Sequence, residues 1–301
     1  GTIRPLSNLD FVIANDALAT TDQVTIAGYG VNTRLRPGPL VTEAVILSGG
    51  LSKDLTHRMV LRDLQIDMDD TSGAIGVVVG GILTGQSVVS GVGVWRATGT
   101  GAYAFHVKDG VVATLENITA GRGENGILIE GSTNLFPDMV TVRDSWIYLN
   151  DGVGITLVRG NGLSFQNTTV EQSGLAGLLY NSTTVTDNVD AVFDDVWFEG
   201  NCRTSGTYEI LLDATLGGTV NVSFINKTRS NSAVKWMFMK QVANYWITDV
   251  IQNNVAASIR IETGSAPSEG TFGAWNNNRG AFATVVSVDA GSAAFTYGPI
   301  T

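Results

Sequence analysis

Three stretches, TVRDSWIY at 141–148, SFQNTTVE at 164–171 and VFDDVWFE at 192–199, share one frame. In each, residues that favour extended backbone lead into a polar residue (Asp144, Asn167 or Asp195), and an apolar residue follows three places later. The same frame fits Asp63 in VLRDLQID, Gly91 in VVSGVGVW and Asn117 in TLENITA, and the break recurs at Asp249 in WITDVIQN. Successive separations are 28, 26, 27, 23, 28 and 54 residues, the last being two periods of 27 with VSFINKT at 222–228 as the intervening unit. A period held in this range marks a repeat architecture.

A second apolar run follows each break: AIGVVV from Ala74, AYAFHV from Ala102, GILIE from Gly126, GITLV from Gly154, AGLLY from Ala176, EILLD from Glu209, VKWMFM from Val234 and ASIRIE from Ala257. Each unit therefore holds at least two strands and a bend. After the break, positions one and three are mostly apolar (Leu64 and Ile66, Val92 and Val94, Val196 and Phe198), whereas positions two and four are not. Side chains alternate across a strand, so one set faces a core and the other faces outward. Units stacked at about 4.8 Å per rung bury the inner set and pair each backbone with the rungs above and below.

These features predict an all-β chain, a single-stranded right-handed parallel β-helix of about ten coils, with the hand set by the preference of parallel crossovers. An antiparallel sandwich has the same strand content but does not hold a period near 27 over eight coils. The helix is expected over residues 1–262, with 1–58 less regular and VTIAGYG at 24–30 an early coil. Residues 263–301 are expected to form a linker and capping or oligomerisation strands, with FATVVSVDAGSAAFTYG at 282–298 turning as a short C-terminal β-hairpin around Asp289-Ala290-Gly291.

Composition narrows the partners. Only 15% of residues are charged, against roughly 25% in typical soluble domains. The surface is instead rich in Ser, Thr, Asn and Gly. A net charge of −10 disfavours nucleic acid and anionic membranes, and no apolar run approaches the roughly 20 residues of a membrane span. One cysteine (Cys202) and two histidines provide neither a disulfide nor a zinc ligand set, so neither a metal nor a cofactor is expected.

The stretches VTIAGYG, ENGILIEG and NDGVGITLVRGNGLSFQNTTVEQSGLAGLLYN resemble the β-helix of bacteriophage tailspike proteins and, more distantly, the pectate-lyase-like superfamily, over about residues 20–262. The resemblance implies a homotrimer on a virion tail, in an extracellular setting, that binds and commonly depolymerises a bacterial surface polysaccharide. The G-H-G and R-I-K companions that polygalacturonases place beside paired aspartates do not accompany Asp194 and Asp195, and the calcium carboxylates of pectate lyases are also missing.

Outward positions carry the candidate chemistry. Position four gives Asp67, Trp95, Gly121, Tyr148, Glu171 and Glu199; position two gives Gln65, Gly93, Thr119, Trp146, Thr169 and Trp197. Aromatic faces stack on the apolar side of sugar rings, and two carboxylates serve glycoside hydrolysis. Glu171 and Glu199 occupy equivalent places in adjacent coils, about 4.8 Å apart, near the roughly 5 to 5.5 Å of a retaining pair. Asp195 is an alternative partner for either at the wider spacing that admits a water. Trp95, Trp146, Tyr148 and Trp197 are candidate sugar platforms, and Arg143 a candidate receptor for an acidic sugar. Against these readings, turn carboxylates commonly hydrogen-bond nearby amides, a Glu ladder can be merely solvated, Arg143 can sit in a surface ion pair, and exposed aromatics can line a subunit contact. Polysaccharide hydrolase, polysaccharide lyase and non-catalytic adhesin all remain open to the sequence.

Overall fold

A computed structural model describes residues 25–48, 59–68, 73–80, 86–109, 112–131, 135–181, 184, 186–252 and 259–262, together with strands at 2–3, 10–13, 18–20, 269–272, 275–277, 286–288 and 295–297. All strand pairings are parallel, in one sheet of 21 strands and one of 11. The chain winds as a right-handed parallel β-helix with three faces per coil.

The break residues that define the period are the bend between the first two faces. Asp63, Gly91, Asn117, Asp144, Asn167, Asp195 and Asp249 all have φ between 43° and 62°. Asp, Asn and Gly enter this left-handed region most cheaply, which is why the break column is built from them. In the coil containing VSFINKT the bend is one residue longer, with both Asn226 and Lys227 left-handed. The strands Val140–Arg143 and Trp146–Tyr148 flank one such bend, and Ile155–Leu157 forms the third face of that coil. Where position one after the bend is polar, its hydroxyl turns inward and closes a local bond. Ser145 Oγ donates to the Arg143 carbonyl at 2.6 Å, and Thr168 Oγ1 to that of Gln166 at 2.9 Å.

Register follows the frame. Arg143 and Trp146 lie beside Gln166 and Thr169, which lie beside Asp194 and Trp197. All eight second runs form strands of the third face, which stacks eleven rungs among the described residues, against the about ten coils expected. The core is one continuous column of buried side chains running up the helix. Its clearest feature is a ladder of stacked rings, Phe165 on Phe193 and Phe193 on Phe224, each pair with centroids 4.8 Å apart. That is the spacing of neighbouring strands, so in-register pairing alone superposes the rings.

Among the described residues, the two strands of the expected C-terminal hairpin do not pair with each other. Val286–Val288 pairs in parallel with Ile259–Glu262 on the third face, and Phe295–Tyr297 pairs in parallel with Glu269–Phe272 on the first. The intervening Asp289-Ala290-Gly291 lies outside the described residues. The two strands belong to different faces because the solenoid offers each a parallel edge one rung below, and winding onward satisfies both backbones where a hairpin would satisfy them only against each other.

Candidate functional site on the second face

The second face carries the outward columns, and register fixes their order. Arg34, Gln65, Gly93, Thr119, Trp146, Thr169, Trp197 and Arg229 run in one line along the helix axis. Beside it run Asp67, Trp95, Gly121, Tyr148, Glu171, Glu199 and Asn231.

Two glycines make room for large neighbours. A Cβ on Gly121 would come within 2.9 Å of the Tyr148 ring, and one on Gly93 within 2.3 Å of Gln65 Oε1. Tyr148 can therefore lie over Gly121, where Trp146 stacks on it at 4.1 Å with the rings 15° apart and Trp95 meets it edge-on at 5.7 Å. Tyr148 is only 8% exposed and Trp146 44%. Trp146 is thus the open platform, and Tyr148 the prop beneath it. Trp95 Nε1 donates to Gln65 Oε1, which satisfies the indole and fixes its ring.

Trp95 and Trp146 line a groove of about 510 Å³ bounded also by Val31, Arg34, Gln65, Asp67, Arg96, Thr119 and Arg122. Arg96 donates from Nε and Nη2 to Asp67 Oδ1 at 2.9 and 2.7 Å. Arg96 and Arg122 are consecutive members of a second left-handed column, with φ of 59° and 57°. Their amides donate to the Gly121 and Tyr148 carbonyls of the next coil. This column escaped the sequence reading because strict alternation sends position five inward, whereas a left-handed backbone redirects the side chain. Arg34 escaped because its region does not keep the period. The only available signal was an arginine directly following an outward Trp95 or Gly121.

Just past Trp146, Glu171 lies directly beside Glu199 in parallel register. Both are half-buried, and Glu199 Oε1 accepts from Asn231 Nδ2 at 3.1 Å. Trp197 lies two rungs from Trp146 and is covered by the Arg229 guanidinium, 4.3 Å from its ring centre. Asp195 occupies the bend itself, φ 51°, half-buried between the first and second faces. Asp67 is four rungs from Glu171 and paired with Arg96, which keeps it apart from the glutamates.

Arg143 is not brought to this groove. It projects from the first face, where its Nε donates to Glu116 Oε2 at 3.0 Å. That pairing holds the Glu116 carboxyl below its ordinary value and raises the guanidinium above its own, the hydrogen bond being the larger cause for both. The structure thus joins Trp95, Trp146 and Tyr148 in one cluster, Glu171 and Glu199 in another, and separates Arg143 from both.

A family model described as a right-handed beta helix region matches residues 81–235. Among solved structures, the A-module of mannuronan C-5 epimerase AlgE4 from Azotobacter vinelandii superposes with a TM-score of 0.53 at 13% identity, over 100% of this chain and 88% of that one. The tailspike protein gp49 of Acinetobacter baumannii bacteriophage Fri1, a capsular polysaccharide depolymerase, gives 0.52 at 12% identity, and the match spans 97% of this chain but only 57% of the tailspike. The catalytic unit of a GH87 α-1,3-glucanase from Streptomyces thermodiastaticus strain HF3-3 gives 0.51 at 16% identity, over 100% of this chain and 62% of that one. Comparison with curated proteins returns no match. At these identities the structural likeness is one of fold, and with the family match over residues 81–235 it fixes the assignment: the chain belongs to the right-handed β-helix family.

Proposed function

We propose that the protein binds a bacterial surface polysaccharide, a capsule or an O-antigen, along its second face and hydrolyses glycosidic bonds within it. The observation that carries this reading is the stacking of Glu171 on Glu199 one rung beyond the Trp146 platform. Retaining hydrolysis uses two carboxyls about 5 to 5.5 Å apart, one as acid and base and one as nucleophile. In-register neighbours at about 4.8 Å start from nearly that spacing. Trp95 and Trp146 offer ring faces to sugars on the groove side of the pair, Trp197 stands in the coil of Glu199 itself, and Asp195 is the alternative partner at the wider, inverting distance. The tailspike and glucanase that share this fold are named for polysaccharide breakdown, which favours the same substrate class here. A virion-tail or other extracellular setting and a homotrimer complete the proposal, on the tailspike likeness alone.

The protein incubated with capsule or O-antigen is expected to release new reducing ends. Glu171→Gln and Glu199→Gln are each expected to slow release by at least about a hundredfold, the contribution of one acid-base group. An ultraviolet-absorbing, unsaturated product identifies a lyase and rejects hydrolysis. A second reading, a non-catalytic adhesin, is favoured by the Asn231 bond to Glu199 and the Arg229 cover on Trp197, both at home in a solvated polar ladder. It wins if the glycan binds, stays intact, and loses binding on Trp197→Ala alone.

A further inference from the structure

The groove beside the glutamates has a charge character of its own. The chain carries 28 acidic against 18 basic residues, so carboxylates are plentiful enough to pair with its arginines. Most described arginines do face one: Arg62 with Asp63, Arg96 with Asp67, Arg143 with Glu116, Arg159 with Asp187, Arg203 with Asp151 and Arg260 with Glu262. Arg34 and Arg122 are exposed and line the groove, and neither forms an ion pair among the described residues, although Asp10 is the in-register neighbour of Arg34 on the side away from Gln65. Among the described lining residues Asp67 is the only acid, and Arg96 neutralises it. Two guanidiniums therefore stand over an aromatic floor in a protein whose net charge is −10, Arg122 with no carboxylate facing it among the described residues.

Their placement is built into the backbone. Arg122 occupies a left-handed position, a conformation that costs an ordinary side chain roughly 1 kcal/mol, and its amide is held by the Tyr148 carbonyl. Arg34 begins the strand Arg34–Pro37, with Gln65 beside it in register. The axial distance from Arg34 to the Arg122 rung is three coils, about 14 Å, with Trp95 lying between. A guanidinium fork takes a carboxylate or sulfate through two parallel N–H bonds, while the ring faces of Trp95 and Trp146 take the C–H side of a pyranose.

We infer that this groove is an acidic-sugar subsite, in which Arg34 and Arg122 receive oxyanion substituents, carboxylate or sulfate, of two non-adjacent residues of one glycan chain lying on Trp95 and Trp146. The inference rests on the polysaccharide reading of the second face and names the substrate class. It places the anionic part of the chain in the groove and the scissile bond beyond Trp146.

The test uses the intact chain and three probes: an oligoglucuronate hexamer, the same hexamer with its carboxyls reduced to neutral hydroxymethyl groups, and a sulfated neutral hexamer. Binding is read by quenching of Trp95 and Trp146 fluorescence and by calorimetry. At least one acidic hexamer is expected to bind about tenfold or more tighter than the neutral one, with an affinity that falls as salt rises. The tighter of the two identifies the oxyanion. Arg34→Gln and Arg122→Gln are each expected to remove about tenfold, and the double variant to erase the preference, while Arg203→Gln, outside the groove, leaves it intact. Equal binding of acidic and neutral hexamers with Trp146 quenching preserved overturns the acidic subsite but leaves the glycan face standing. Acidic binding that survives the double variant also overturns it. Absence of binding by all three hexamers overturns the subsite and the glycan reading together. Unchanged thermal unfolding of each variant shows that a lost preference does not arise from a lost fold.

Discussion

Replacing Phe193 by alanine removes the middle ring of the aromatic ladder, and the structure sets what this costs. The ring is fully buried and stacked on Phe165 and Phe224, each with centroids 4.8 Å away and rings within 11° of parallel, with Phe198 tilted against it at 6.2 Å. Truncating a buried Phe to Ala costs about 3 to 5 kcal/mol, more where the surroundings cannot collapse into the cavity. Here they cannot, because the neighbouring rungs are held at strand spacing by backbone bonds on every face. The upper part of that range, about 4 to 5 kcal/mol, is therefore expected. It is comparable to the whole net stability of a small domain. A solenoid's stability is a sum of units and their interfaces, so the loss falls between the coils containing Phe165 and Phe224. Guanidinium unfolding followed by circular dichroism should show the lower midpoint, and hydrogen exchange should show protection lost first at these rungs. Phe193→Leu, which keeps most of the volume, should cost less than about 1.5 kcal/mol. A loss below about 1.5 kcal/mol for the alanine variant, or protection lost evenly along the chain, would refute the ladder as a coil-to-coil staple.

Other consequences are open to equally direct measurement. Arg159 and Asp187 form an ion pair at 2.5 Å with side chains 4% and 3% exposed, and Thr184 adds its amide to the carboxylate at 2.7 Å. Asp187→Ala strands a buried guanidinium and is expected to cost about 3 to 5 kcal/mol in denaturant unfolding, whereas Arg159→Met combined with Asp187→Leu should recover most of it. Glu116, its pKa lowered chiefly by the hydrogen bond from Arg143, contributes stability that is present above its ordinary value of 4.5 and lost as the pH falls through the depressed one. Glu116→Gln should flatten the acid side of the melting-temperature profile and leave the neutral side unchanged; an unaltered acid limb contradicts the pairing. Burial, aided by the nearby Glu209 charge, pushes the Cys202 thiol up to about 12. It should resist a disulfide reagent at mildly alkaline pH in the folded protein and react once unfolded, and fast labelling of the native state contradicts that burial.

What could be read from the sequence, and what could not, follows from the backbone. The bend column needs a left-handed φ, which Asp, Asn and Gly supply at least cost, so Asp63, Gly91, Asn117, Asp144, Asn167, Asp195 and Asp249 expose the period by residue type alone. Once the period is known, alternation orders the outward columns, and Glu171 beside Glu199 and Trp146 two rungs from Trp197 follow directly. Local conformational preference and strand alternation were enough for these. Tertiary structure decided the rest. The second left-handed column is built from Arg96, Arg122, Leu149 and Gln172, residues with no such preference, because their amides are held by carbonyls of the next coil. That inter-coil restraint swings Arg96 and Arg122 into the groove where alternation would have buried them. Tyr148 turned from platform to prop because Gly121 leaves space beneath it, a relation between coils that no single segment contains. Arg143 went to Glu116 because both stand in one column of the first face, and the two last strands joined different faces because each found a parallel edge already waiting. The winding and its columns were legible in residue types alone, because these depend on each residue's own backbone. Which charges meet, which rings stay open and where the groove lies depend on pairings between coils, and only the folded helix decided them.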